Sequence, residues 1–268
     1  MALIQWREFA DVLACPDDGG SLELRDEHLS CMVCNRRFNV EDGIISMLPK
    51  RLQAPRDDSD QQKLREQRTR DEQAEWYDRL FGLKVVGILE VPTYMKLLGD
   101  AKYSLALEVG CGTGRITERI LPSAHQLIAL DLSRTSLLHC RQRVASVSEE
   151  HCICLVHGDA NALPVKDEAF DLIFSAQALE HIPSKELQIN AFARIARALK
   201  PGAPFIFSIY HWSWLMRIFG RKEGYHPGNI YFYRWTPDEL RTALEAHFTV
   251  EYMRPCAGYI LIVKALRK

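Results

Sequence analysis

Leu105 to Arg115, LALEVGCGTGR, is the stretch on which the reading of this chain turns. Leu105, Leu107 and Val109 alternate as in a buried strand, and Gly110, Gly112 and Gly114 form a glycine-rich turn before an expected helix. Near the end of the next hydrophobic run, LIALDLS, stands Asp131. A strand, a glycine turn, a helix start and a carboxylate at the tip of a second strand make a nucleotide cradle in an open α/β sheet. The glycines let backbone approach the ligand, the helix start offers free N–H groups, and the carboxylate accepts from ribose hydroxyls.

Two cofactor classes compete for this pattern. A dinucleotide fingerprint asks for a third glycine where this chain has Arg115, which is too bulky for close helix–strand packing. Glu108, just before the first glycine, would repel a pyrophosphate. It suits a ligand carrying an ammonium group, such as the methionine end of S-adenosylmethionine. The structural alternative is an ordinary strand–turn–helix corner.

Residues 104–209 resemble the class I S-adenosylmethionine-dependent methyltransferases. The matching motifs, in order, are EVGCGTGR, the acidic end of ALDLS, HGDANALPVKDEAFDLIFSAQALEHIP and ALKPGAPFIFS. The resemblance implies a Rossmann-like, mostly parallel sheet of seven strands. It implies that Glu108, Gly110, Gly112 and Gly114 cradle the cofactor and that Asp131 binds the ribose, with Leu132 against the adenine. Asp159 would accept from the adenine amino group beside a backbone contact from Ala160. Ser175 and Gln177 would face the methionine end. Taken singly, Asp131 also reads as a cap for the helix at SRTS, and Asp159 as a turn residue.

Strands are expected near 104–109, 126–130, 152–156, 170–175, 203–209, 247–254 and 258–265, with helices near 114–121, 134–146, 185–199 and 237–246. Such alternation means a parallel sheet covered on both faces, here closed by an antiparallel edge hairpin. At 268 residues there is room for one large α/β domain and a small appendage. The net charge of −1 provides no global field for nucleic acid or an acidic membrane. No apolar run is long enough to span a bilayer and the N-terminus lacks a signal-peptide pattern, so a soluble, cytoplasmic chain is expected. Eight cysteines in such a setting point to metal ligands or buried thiols.

Residues 1–48 have a different texture and are expected to form a zinc-ribbon-like appendage. Short strands are expected around SLEL, HLSC and RRFNV, ending at DGIISMLP. Cys15 and Asp18 form a C-x-x-D pair, and Cys31 and Cys34 a C-x-x-C pair. Paired ligands on two tight turns can build a tetrahedral metal site, and a segment this short benefits from a metal staple. The segment resembles the zinc-ribbon family of tRNA methyltransferase activator subunits, through LACPDDGGSLEL, CMVCNRRF and DGIISMLP. It departs from them at Asp18, where a full ribbon carries cysteine. A structural zinc and a metal-free ribbon both remain open.

Residues 49–100 read as a linker followed by helices that lid the cofactor site. In the first helix, Leu64, Gln67, Asp71, Ala74 and Asp78 mark one mixed face, and Lys63, Arg65, Arg68 and Arg70 read as a solvated basic face or an RNA contact. Trp76 and Tyr77 either line the cofactor pocket or pack on the sheet. Residues 101–268 are expected to form the methyltransferase domain that the resemblance implies, with an aromatic cap insertion at 210–236.

Methyl transfer needs alignment and water exclusion more than proton chemistry. His181, His211 and Tyr77 are the candidate catalytic side chains. Each also has a packing role open to it. The aromatic insertion reads as a substrate lid for an apolar or planar acceptor, or as a cap packed on itself. The turn Ser175-Ala176-Gln177-Ala178 differs from the N-P-P-Y turn of enzymes acting on exocyclic amines, and is closer to small-molecule methyltransferases of the ubiquinone and menaquinone type. The leading expectation is transfer to a small, apolar or aromatic acceptor. An RNA methyltransferase using the ribbon and a non-catalytic cofactor-binding partner are the alternatives.

Overall fold

The computed structural model describes residues 5–55, 57–77, 81–145 and 151–268, and the side chains among them other than those of 75–86 and 219. The expectation for Trp76 and Tyr77 rests on side chains outside the described residues.

The chain opens with four short strands, β1 (Leu22–Arg25), β2 (His28–Cys31), β3 (Arg37–Glu41) and β4 (Ile44–Ser46). Three helices follow: α1 (Lys50–Gln53), α2 (Asp58–Tyr77) and α3 (Phe81–Leu98). The alternating part then runs β5 (Tyr103–Val109), α4 (Thr117–Ile120), β6 (Ala124–Asp131), α5 (Arg134–Val144), β7 (Cys152–His157), β8 (Leu172–Ala176), α6 (Lys185–Ala198) and β9 (Pro204–Tyr210). Next come α7 (Trp214–Phe219), β10 (Glu223–His226), β11 (Ile230–Tyr233), α8 (Pro237–Glu245), β12 (Phe248–Cys256) and β13 (Ile260–Arg267). Every strand and helix expected between 104 and 265 is present, with ends that differ by a few residues.

Seven strands in the order β7-β6-β5-β8-β9-β13-β12 form the central sheet. β5 to β9 are mutually parallel, while β13 runs antiparallel to β9 and β12 antiparallel to β13. Strand order reverses on either side of β5, which places a crevice at the carboxyl ends of β5, β6 and β8. Alternation along β5 sends Leu105, Leu107 and Val109 into one apolar core and Ala106 into the other, as a sheet covered on both faces requires. Local caps fix the flanking helices. Ser133 accepts from the Ser136 N–H at the start of α5, and Thr236 and Glu239 make a reciprocal capping box at α8.

The sheet does not stop at β7. β4 adds to it in parallel, Ile45 opposite Val156, and β3, β2 and β1 continue outward, giving eleven strands in one sheet. The N-terminal ribbon is therefore joined to the edge of the central sheet by backbone pairing. Ala14 N–H also donates to the Pro164 carbonyl (2.9 Å), and Lys166 N–H to the Val12 carbonyl (2.9 Å). Phe9, Leu13, Phe38, Ile45 and Met47 share one apolar core with Leu107, Val156 and Phe170. The aromatic insertion is also more ordered than a loop: α7 is followed by the antiparallel hairpin of β10 and β11. No helix among the described residues is long and apolar enough to cross a membrane.

Candidate functional site

A cavity opens at the carboxyl ends of β5 to β8. Its floor is made by Glu108, Gly110 and Gly112 at the end of β5, Asp131 and Leu132 at the end of β6, Asp159 and Ala160 after β7, and Gln177 after β8. Its roof is α2, which contributes Lys63, Glu66, Arg70, Gln73 and Ala74. Most of the residues expected to hold a cofactor thus meet around one cavity.

The glycine turn is shaped by close packing. At Gly110 (φ +77°) a Cβ would lie 2.2 Å from the Ala178 Cβ, so no side chain fits. Gly114 (φ +82°) is outside the cavity wall. A Cβ there would meet Cys140 Sγ at 2.8 Å, so this glycine serves the approach of α5. Asp131 ties the turn to the second strand. Its Oδ2 accepts from Gly112 N–H (2.7 Å) and its Oδ1 from Ser133 N–H (2.8 Å). Burial pushes the Asp131 carboxyl up.

Glu108 is 1 % exposed, and its Oε2 has no hydrogen-bond partner. Burial pushes its carboxyl up to about 8, with a Thr117 hydrogen bond pulling the other way. A buried carboxyl with an open oxygen in a cavity wall is costly unless a ligand completes it.

Asp159 is already engaged. Lys63 Nζ lies 2.8 Å from its Oδ2 and 2.9 Å from its Oδ1, and Arg51 also pairs with it. Its Oδ1 further accepts from Asn161 N–H (3.0 Å), so it caps a short 3-10 turn. Lys63 reaches Asn161 Oδ1 as well, at 2.6 Å. The carboxylate expected to read an adenine amino group thus anchors α2 in this conformation.

Ser175 is fully buried and absent from the cavity wall. Its hydroxyl donates to the Val109 carbonyl (2.8 Å), which fixes the spacing of β5 and β8. Gln177 does line the cavity, and its Nε2 donates to Glu90 (2.7 Å). Glu90 is fully buried, where it pairs with Arg115 (2.7 Å) and accepts from Tyr94 (3.0 Å). Arg115, the residue that broke the dinucleotide pattern, thus serves as a counter-ion.

The two histidines separate. His181 lines the cavity, and its Nδ1 is 2.8 Å from the Tyr231 carbonyl. A carbonyl only accepts, so Nδ1 carries the proton and Nε2 keeps its lone pair. Burial, with Arg70 nearby, holds His181 well below the usual imidazole range and therefore neutral. His211 is not in the cavity wall. Its N–H donates to the Tyr259 carbonyl (2.7 Å), and it forms a bridge to Trp235 just past the end of β9.

α2 corrects the expectation of a solvated basic face. Lys63 is 2 % exposed and Arg70 is in the cavity wall, while Arg65 and Arg68 face solvent. The roof residues 63, 66, 70, 73 and 74 recur at helical spacing, a signal that hydropathy alone hides because the stripe is polar. Burial pushes Glu66 up to about 7, with Arg70 opposing.

In the ribbon, one ligand atom each from Cys15, Asp18, Cys31 and Cys34 lies within 4.8 Å of all the others. Cys15 and Cys34 Sγ are 3.8 Å apart. Two thiolates each about 2.3 Å from a tetrahedral zinc would be about 3.8 Å apart, so the spacing and the donor set suit that metal. Val33 and Cys34 N–H groups both point at Cys31 Sγ (3.4 and 3.5 Å).

Comparison with known proteins agrees with this geometry. A family model described as a methyltransferase domain matches residues 106–202. Malonyl-[acyl-carrier protein] O-methyltransferase of Erwinia pyrifoliae is 36 % identical over 116 residues, covering 42 % of this chain and 41 % of that protein. Demethylmenaquinone methyltransferase of Staphylococcus epidermidis is 32 % identical over 144 residues, covering 47 % and 57 %. The chain spans about half the length of the curated relatives it matches. Among solved structures, the N-methyltransferase NodS of Bradyrhizobium japonicum, in complex with S-adenosyl-L-homocysteine, superposes with a TM-score of 0.52 at 21 % identity, over 65 % of this chain and 84 % of NodS. A chain of the Haloferax volcanii complex containing the Trm112 methyltransferase activator superposes with a TM-score of 0.58 at 17 % identity, over 74 % and 96 %. These structures share the fold.

Proposed function

We propose that this chain, which carries a methyltransferase domain at residues 106–202 on the class I fold, transfers a methyl group from S-adenosylmethionine to a small, apolar or aromatic acceptor. The observation that carries the reading is Glu108, a buried carboxyl with an open oxygen beside the glycine turn. A dinucleotide pyrophosphate would be repelled there, whereas an ammonium group would complete it.

The bound cofactor supplies an activated methyl group on a sulfonium. Around it, Glu108 would take the ammonium, Asp131 the ribose hydroxyls, and Leu132 the adenine face. Reading of the amino group by Asp159 requires that Lys63 and Arg51 share or release it. On the acceptor side, His181 supplies the base. Its Tyr231 contact fixes the tautomer, its neutrality keeps Nε2 free to accept a proton, and α2 excludes water from above. His211, outside the cavity wall, has no part in this reading.

The ribbon acts as a structural edge, with zinc held by Cys15, Asp18, Cys31 and Cys34. Elemental analysis of the purified chain is expected to find close to one zinc per chain, lost in Cys31→Ser. Metal-free wild-type protein that folds normally would remove the metal from the account.

The test of activity is incubation with methyl-labelled cofactor and fractionated lysate. Label is expected in the organic-soluble small-molecule fraction. Label confined to RNA or protein would replace the acceptor class, and no transfer to any fraction despite cofactor binding would favour a non-catalytic partner.

A further inference from the structure

Asp159 stands in the cavity wall, yet its capacity to accept hydrogen bonds is already filled. An ionised carboxylate offers about four lone-pair positions, shared between its oxygens. Oδ1 accepts from Lys63 Nζ (2.9 Å) and from Asn161 N–H (3.0 Å). Oδ2 accepts from Lys63 Nζ (2.8 Å) and from Arg51. Arg51 is held on its other side by Asp60. Admitting an adenine amino group to Asp159 would displace a cation from a carboxylate that is 3 % exposed. That exchanges a buried charge pair for a neutral hydrogen bond, which is unfavourable.

Lys63 has the opposite balance. It is 2 % exposed and lines the same cavity from α2. The oxygens of one carboxylate lie too close together to take separate N–H bonds from a tetrahedral ammonium, so one N–H spans Asp159 Oδ1 and Oδ2. Another goes to Asn161 Oδ1 (2.6 Å). The Asn161 amide is fixed in that orientation, because its Nδ2 donates to the Leu187 carbonyl (2.7 Å). An ammonium carries three donors. The remaining N–H of Lys63 has no partner among the described residues. A buried donor left open is costly unless a ligand completes it.

We propose that Lys63 reads the adenine base, by donating its remaining N–H to the ring nitrogen N7, and that Asp159 is a positioning residue that acts through Lys63. The proposal rests on the methyl-transfer reading and assigns the base-recognising side chain within it. In adenine, N7 lies on the same edge as the amino group and only accepts. The group that reads the base then belongs to the roof, so the bound base adds a contact that holds α2 down. Replacing the amino group by a carbonyl leaves N7 in place and adds a further acceptor to that edge. A site that reads the base through Asp159 rejects this change, because a carbonyl would face a carboxylate. A site that reads it through Lys63 tolerates it.

The experiment is calorimetric titration of the full chain with three ligands. They are S-adenosylhomocysteine, S-inosylhomocysteine, in which a carbonyl replaces the amino group, and 7-deaza-S-adenosylhomocysteine, which keeps the amino group and loses N7. The wild type is expected to bind the first two within about fivefold of each other and the 7-deaza ligand about tenfold or more weakly, the loss of a hydrogen bond to a charged donor. In Lys63→Met the penalty for 7-deaza substitution is expected to fall below about threefold, because the donor is gone. A larger wild-type preference for adenosyl over inosyl, a smaller wild-type penalty for the 7-deaza ligand, or a penalty that persists in Lys63→Met would overturn the proposal. If Lys63→Met does not fold or bind, the two wild-type ratios decide. S-adenosylhomocysteine binding with the wrong ratios defeats the Lys63 assignment alone. Absence of S-adenosylhomocysteine binding to the wild type defeats the methyl-transfer reading and the assignment with it.

Discussion

The ribbon and helix α2 both precede the segment matched by the methyltransferase-domain model and both pack on it, yet they are attached by opposite means. The ribbon pairs its backbone with β7 and buries Phe9, Leu13, Ile45 and Met47 in a core shared with the sheet. α2 is held by polar side chains. Lys63 pairs with Asp159, and Asp71 accepts from Ser133 Oγ (2.6 Å) and Thr135 N–H (3.1 Å). Gln67 meets His157 at 3.3 Å, and Thr69 donates to the Gly228 carbonyl (2.8 Å). Apolar burial loses its stabilisation when it opens, because water does not replace it, whereas polar contacts are exchanged for contacts with water at small net cost. The ribbon is therefore held as part of the sheet, and α2 as a roof whose contacts are ones that water can replace.

The comparison breaks first if the ribbon side is not load-sharing with the domain. Ile45→Ala, at the seam with β7, is expected to lower global stability by about 2–5 kcal/mol, as other large-to-small core changes do. Denaturant melts should show one transition shifted as a whole. A separate early transition would mean that the ribbon unfolds independently.

The roof side predicts a smaller and more local effect. Lys63→Met leaves Asp159 with Arg51 and the Asn161 N–H only, at a cost of about 1–3 kcal/mol. Hydrogen exchange should accelerate in α2 while ribbon amides keep their protection. Equal acceleration in both would erase the distinction.

A further effect comes from pH. Glu66 sits at about 7, and Glu108 and Glu180 at about 8, all raised by burial. The folded chain therefore keeps protons that the unfolded chain releases near a pKa of about 4.3. Ligand-free stability should fall as pH rises from that value through about 8, because the folded chain binds more protons than the unfolded chain across that window. The slope should flatten in a Glu108→Gln/Glu180→Gln double variant. A slope unchanged in that variant would assign the titration elsewhere.

Much of this arrangement was legible in the sequence. The strand–helix alternation after residue 103 follows from hydrophobic periodicity, and the glycines and acidic strand ends place Glu108, Asp131, Leu132 and Asp159 around the crevice without any tertiary information. What periodicity cannot reveal is which partner a short strand chooses. Ile44–Ser46 reads as the end of a ribbon, and its pairing with Leu155–His157 is a contact between distant segments. The polar stripe of α2 was hidden for a different reason, because its burial is driven by ion pairs and hydrogen bonds. His181 and His211 look alike as lone histidines near aromatics, and only the path of β9 and the insertion separates them. Ser175 faces β5, not the cavity, because its hydroxyl satisfies the Val109 carbonyl.

The central claim is that this cavity recognises a cation-bearing cofactor through Glu108. Calorimetric titration of S-adenosylmethionine into the wild-type chain and into Glu108→Gln tests it most directly. The substitution keeps size and hydrogen-bonding shape and removes the negative charge that the carboxyl would take up opposite a bound ammonium. The account predicts saturable one-to-one binding by the wild type and at least a tenfold loss in the variant, about 1.4 kcal/mol. Equal affinity in the two proteins, or no binding by the wild type, would contradict it.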